Sequence, residues 1–120
     1  MSDMNELIET YIAAWNETDA AARKDLLAKV FAEDAEYTDP LASVRGRDGL
    51  DAVIAAVQTQ FAGLTFTLGP VDAHHHIARF TWNLGRPGDE PVVIGFDVAA
   101  VGDDGQITKV LGFLDKVPAA

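Results

Sequence analysis

Apolar side chains recur at helical spacing over the first half of the chain and at strand spacing over the second. Residues 3–17 carry Leu7, Ile8, Tyr11, Ile12 and Trp15, a pattern that lays one apolar stripe along a helix. Asp3, with Glu6 three residues on, reads as a capping box. Thr18-Asp19 ends this helix and can cap a second. There Leu26, Leu27, Val30 and Phe31 repeat the stripe, with Arg23, Lys24 and Lys29 mostly off it. A third helix is predicted over Asp48 to Phe61, with Leu50, Val53, Ile54 and Val57 inward and Gly63 as its stop.

After Gly63 the period falls to two. Leu64, Phe66 and Leu68 alternate with threonines until Gly69-Pro70 bends or ends the strand. Further strands are predicted over His76–Leu84, Pro91–Val101 and Ile107–Val117. The turn Gly85-Arg86-Pro87-Gly88-Asp89 and the tight hairpin Gly102-Asp103-Asp104-Gly105 separate them. A short strand is expected at Ala35–Asp39. Helices followed by a meander spell an α+β fold: three helices cover one face of a strongly curved, mostly antiparallel sheet. A sheet half closed in this way leaves an apolar cavity between the layers, the natural place for chemistry.

Composition narrows the function classes. The 120 residues suit a single domain, 1–120, and 48% hydrophobic content excludes a disordered acidic tail. With 19 acidic against 9 basic side chains the net charge is −10, which opposes nucleic acid and anionic membrane surfaces. The absence of cysteine removes disulfides, thiolate nucleophiles and cysteine zinc sites, and suits a reducing cytoplasm. No basic, apolar leader opens the sequence, and no apolar run is long enough to span a membrane.

Most carboxylates fall where solvated charge is expected. Asp97 does not: it interrupts Val92-Val93-Ile94-Gly95-Phe96-Asp97-Val98-Ala99-Ala100-Val101 and shares a face with Val93, Gly95, Ala99 and Val101. If inward, it must find partners or take up a proton, and as a neutral acid it can donate a hydrogen bond. Otherwise it faces outward, or pairs with Arg79 on the neighbouring strand. Asp39, at a strand exit before Pro40, is either a turn residue or a carboxylate held by a fixed extended backbone. Tyr11 lies on the apolar stripe of the first helix, so its hydroxyl needs a partner: a backbone carbonyl, or a substrate oxyanion.

Together these segments carry a resemblance. Tyr11-Ile12-Ala13-Ala14-Trp15-Asn16-Glu17-Thr18-Asp19, Val30-Phe31-Ala32-Glu33-Asp34-Ala35 and Asp39-Pro40-Leu41-Ala42-Ser43 closely resemble the first third of ketosteroid isomerase. The Gly95-Phe96-Asp97 strand and the Gly105 hairpin fall into step with it. More broadly, the chain is similar to the SnoaL-like proteins of the nuclear transport factor 2-like superfamily. This resemblance implies a cone-shaped half-barrel enclosing an apolar pocket, and a homodimer formed through the sheet face. It implies proton abstraction α to a carbonyl by Asp39, with Tyr11 and protonated Asp97 stabilising the dienolate oxygen, and no metal or cofactor. The implied partner is a small apolar carbonyl compound, steroid- or polyketide-like, with Trp15, Tyr37, Ile54, Val57, His76, Trp82 and Phe113 around it. The isomerase's supporting tyrosine on the third helix has no counterpart in Leu50-Asp51-Ala52-Val53-Ile54, and Tyr37 can serve in its place.

Two alternatives stand beside this reading. One is a non-catalytic module that keeps the pocket for binding or dimerisation. The other is a polyketide cyclase-like enzyme that pairs Asp97 with His76. His74-His75-His76 also invites a metal, but alternation lets only His74 and His76 share an ion, without a clear third ligand, so no metal site is assigned.

Overall fold

The computed structural model describes residues 2–118, with side chains from residue 4 onward. Helix α1 (Ser2–Asn16) carries the first apolar stripe, and Ile8, Tyr11, Ile12 and Trp15 are all buried. The side chain of Asp3, and with it the expected capping box, lies outside the described residues. Helix α2 (Ala20–Val30) begins at Asp19, whose carboxylate accepts from Ala22 N at 2.9 Å as an N-cap. Arg23 corrects the sequence pattern: it is buried, with Nε 2.6 Å from Asp51 Oδ1 and Nη1 3.0 Å from the Glu17 carbonyl. Helix α3 (Arg47–Gln60) supplies Asp51 and also Gln58, whose amide donates to the carbonyls of Trp15 and Glu17. Arg23 and Gln58 thus satisfy the open carbonyls at the end of α1 and bind the three helices there.

The strands are β1 (Phe31–Thr38), β2 (Ser43–Arg45), β3 (Thr65–His74), β4 (Ile77–Gly85), β5 (Val93–Val101) and β6 (Ile107–Lys116). They form one sheet in the order β2-β1-β6-β5-β4-β3. All neighbours are antiparallel except β1 and β6, which run parallel and join the N-terminal half to the meander. Two differences from the sequence pattern, and the choice between two expectations at Gly69-Pro70, have physical causes. Phe31 opens β1 instead of closing the α2 stripe. β2, only three residues long, is too short to show alternation. Gly69-Pro70 bends β3 without ending it, because β3 is an edge strand, where a missing N–H does no harm, and the register shifts there between Leu68 and Val71.

The inner face of β5 is buried at Val93, Gly95, Asp97 and Ala99, and that of β6 at Val110 and Gly112. Small residues at the centre of these strands let the sheet curve and leave space beneath α1 and α3. Asn16 ties α1 to the rim of that space: its amide donates to the Phe66 carbonyl at 3.0 Å and its carbonyl oxygen accepts from Phe66 N at 2.8 Å. Among the described residues, no helix is long and apolar enough to cross a membrane.

Candidate active site

A cavity of about 250 Å³ opens between the helices and the sheet, with an almost wholly apolar wall. Tyr11, Trp15, Tyr37, Asp39, Val57, Trp82 and Asp97 all line it, so every residue proposed for catalysis meets there. A second, more open depression of about 520 Å³, bordered by Met4, Lys29, His74 and His75, holds none of them.

Asp97 is 3% exposed. Among the described residues it forms no ion pair: Arg79, on the outer side of β4, bonds Asp72 instead, through Nη2 at 3.2 Å. Tyr11 Oη donates to Asp97 Oδ2 at 3.1 Å. Burial pushes the Asp97 carboxyl up from 3.8 to about 6, the donors Trp82 and Tyr11 hold it down, and the charge of Asp39 raises it again. Trp82 can approach because its ring lies over the backbone of its strand partner Gly95, where any Cβ would collide with the indole. Tyr11 is fully buried, and its phenol is raised well above the ordinary value, first by burial and then by the charge of Asp97. It therefore stays a hydroxyl and a donor across the working pH range.

Asp39 lies at the exit of β1, where Pro40 turns the chain. Its Oδ1 accepts from the backbone N–H groups of Leu41 and Ala42, each at 2.8 Å, and its Oδ2 from the Tyr37 hydroxyl at 2.6 Å. All three partners donate, which matches the acceptor-only chemistry of a carboxylate. Burial, followed by the hydrogen bond to Asp39, raises the Tyr37 phenol far above its ordinary value, so Tyr37 keeps its proton.

Gly112 links the two carboxylates and escaped the sequence reading. It pairs with Asp97 across β5 and β6, and a Cβ on it would sit 2.8 Å from Asp97 Oδ1 and 3.2 Å from Asp39 Cβ. Asp97, Gly112 and Asp39 therefore form a row across the concave face, one strand spacing apart, so the two aspartate backbones stand roughly 10 Å from each other. With no side chain on Gly112 to separate them, Asp97 and Asp39 converge over its backbone. A glycine inside the apolar run Val110-Leu111-Gly112-Phe113-Leu114 is a signal of close approach that the sequence does carry.

Three expected lining residues do not line the cavity. Ile54 is wholly buried in the hydrophobic core. Phe113 is 58% exposed, because Gly112 takes the inward position and alternation turns its neighbour out. His76 sits exposed in the β3–β4 turn with Nε2 3.5 Å from Asp103 Oδ1, four residues and roughly 13 Å along the strand from the Asp97 level. The pairing of Asp97 with His76 is therefore not made. His74 meets His75, not His76: His75 has φ 51°, which breaks the alternation, and their Nδ1 atoms lie 3.1 Å apart. Phe66 and Leu114 complete the wall, and Leu41, 80% exposed, stands at its mouth.

Three helices over a curved six-stranded sheet, with an apolar cavity between them, match the α+β cone fold of nuclear transport factor 2-like proteins. The family model described as the SnoaL-like domain matches residues 8–110. A crystal structure of an isomerase candidate of the SnoaL-like family from Agrobacterium tumefaciens superposes with a TM-score of 0.89 at 39% identity, covering 96% of this chain and 99% of that one. At the level of fold, a ketosteroid isomerase candidate from Kribbella flavida gives a TM-score of 0.72 at 21% identity, over 99% of this chain and 82% of that one. A SnoaL-like polyketide cyclase candidate from Jannaschia gives 0.70 at 18%, over 92% and 86%. No curated protein sequence matches. The chain belongs to the SnoaL-like family.

Proposed function

We propose that this protein is an isomerase that moves a carbon–carbon double bond by taking a proton from the carbon α to a carbonyl and returning it elsewhere on the same molecule. The observation that carries this reading is the row Asp97–Gly112–Asp39 beneath the Tyr11 hydroxyl. A carbonyl oxygen placed beside Tyr11 Oη and Asp97 meets two donors once Asp97 holds a proton. An apolar ligand that fills the cavity removes water from Asp97 and favours that protonated form. Of roughly four lone-pair positions on the Asp39 carboxylate, three are engaged, so the remaining one on Oδ2 receives the substrate proton. The step needs only these side chains.

The cavity bounds the substrate. An apolar cavity of roughly 150 Å³ accommodates benzene, so about 250 Å³ suits one or two rings, with Trp15 and Trp82 closing the space that a longer skeleton needs. The outer sheet face, where Phe96 lies opposite Phe113 and Val98 opposite Leu111, is an apolar surface suited to pairing two copies. The cysteine-free composition suits a cytoplasmic protein.

A second reading, a module that binds apolar ligands without turnover, is favoured by one observation: Asp39 is already engaged by three donors. A panel of β,γ-unsaturated ketones with one to four rings, followed by the ultraviolet absorbance of the conjugated product, separates the two. Turnover of the small ketones supports the isomerase. Binding of the same ketones without turnover supports the module.

A further inference from the structure

Trp15 Nε1 is buried and has no hydrogen-bond partner, the one such side-chain atom among the described residues. An unmade hydrogen bond on a buried donor carries the full cost of taking that group out of water, and its neighbours show no such neglect. Tyr11 Oη donates to Asp97, and Tyr37 Oη to Asp39.

Trp15 follows Tyr11 by one helical turn on the same face of α1. The two rings meet edge-on with centroids 6.4 Å apart and planes at 67°. Tyr37 and Phe66 hold the indole from other sides, at 5.7 Å and 5.4 Å. A ring wedged in this way cannot swing to a distant acceptor. Nε1 has almost no exposed surface, so a ligand in the cavity does not reach it directly. Two phenols pack against the indole, Tyr11 and Tyr37, each with its own proton given to an aspartate; Tyr11 is the one that shares its helix face and the one on which the indole N–H acts. Proximity of the indole N–H offsets part of the rise that burial causes in the Tyr11 phenol, although the pair stops short of hydrogen-bond geometry.

Resting on the oxyanion-hole reading above, we propose that Trp15 is a positioning residue, its indole N–H closing onto the Tyr11 oxygen when Tyr11 donates to the substrate oxygen. As negative charge develops on that oxygen, Tyr11 shares its proton more fully and its own oxygen becomes a better acceptor. The Trp15 bond then strengthens in step, so it stabilises the charged state more than the ground state.

The test uses the full chain and 4-nitrophenol, a small phenol whose phenolate mimics the dienolate and whose absorbance reports how much of the bound form is ionised. Trp15 is replaced by Phe and, separately, by its sulfur isostere benzothienylalanine, which keeps the ring shape and lacks only the N–H. Both replacements are made in the native and Tyr11→Phe backgrounds. In the native background each is expected to weaken phenolate binding about fivefold, the equivalent of one net hydrogen bond, and to lower the ionised fraction. In the Tyr11→Phe background the isostere is expected to change neither. Equal losses in the two backgrounds overturn the role of Trp15 and leave the oxyanion hole standing. Unweakened phenol binding in Tyr11→Phe alone overturns the oxyanion hole and this inference with it.

Discussion

The Tyr11 hydroxyl and Asp97 Oδ2 lie 3.1 Å apart, joined by a hydrogen bond between residues 86 positions apart in the chain. One comes from the first helix and the other from the fifth strand, so the contact exists only when the cone is assembled. It places the phenol hydroxyl and the carboxyl oxygen side by side at one point of an apolar cavity.

Asp97 should destabilise the fold at neutral pH. Its folded-state pKa of about 6 lies above the ordinary 3.8, so the folded protein binds the extra proton between those values. Stability therefore falls as pH rises through that window, and above it the buried anion costs on the order of 3 kcal/mol. Asp97→Asn should be the more stable protein at about pH 8, and the gap should close near pH 4. Chemical denaturation at the two pH values measures this, and an unchanged gap would show that Asp97 is not a buried titrating acid.

Gly112→Ala should impair the site far more than the fold. The added methyl lies 2.8 Å from Asp97 Oδ1 and 3.2 Å from Asp39 Cβ, so it intrudes between the two and displaces at least one. Overpacking of this kind costs about 1–3 kcal/mol of stability, whereas a displacement of about 1 Å at reacting groups can lower a rate about 100-fold. Melting temperature and kcat/KM, measured together, separate the two effects.

How much of this was legible in the sequence follows from what each signal encodes. Tyr11, Asp39 and Asp97 stood out because each breaks the local pattern: a hydroxyl on an apolar stripe, a carboxylate locked before proline, a charge inside an uncharged strand. The helices and the meander followed from their periods. Arg23 misled because its spacing looks solvent-facing, while its partners Asp51 and Gln58 lie in another helix. Phe113 and Ile54 misled because apolar character does not say which side of a wall a residue takes. For Phe113 the deciding fact is the inward turn of its neighbour Gly112. The parallel pairing of β1 with β6 depends on contacts between distant segments, and no local pattern records it.

Phe113→Lys should keep the protein monomeric. Phe113, Leu111 and their strand partners Phe96 and Val98 present an apolar outer face, and a desolvated charge at the centre of a pairing surface weakens association by several kcal/mol. Sedimentation velocity of the native chain should show a dimer and the variant a monomer, with unchanged circular dichroism. A native chain that is already monomeric would remove the sheet-face pairing.

Proton abstraction by Asp39 is measured by kcat/KM for conjugation of a one-ring β,γ-unsaturated ketone by the native chain and by Asp39→Asn. The substitution preserves shape and removes the base. With Asp39 as the base, the native chain conjugates the ketone measurably and the variant loses at least about 100-fold. Rates within about twofold of each other would contradict it.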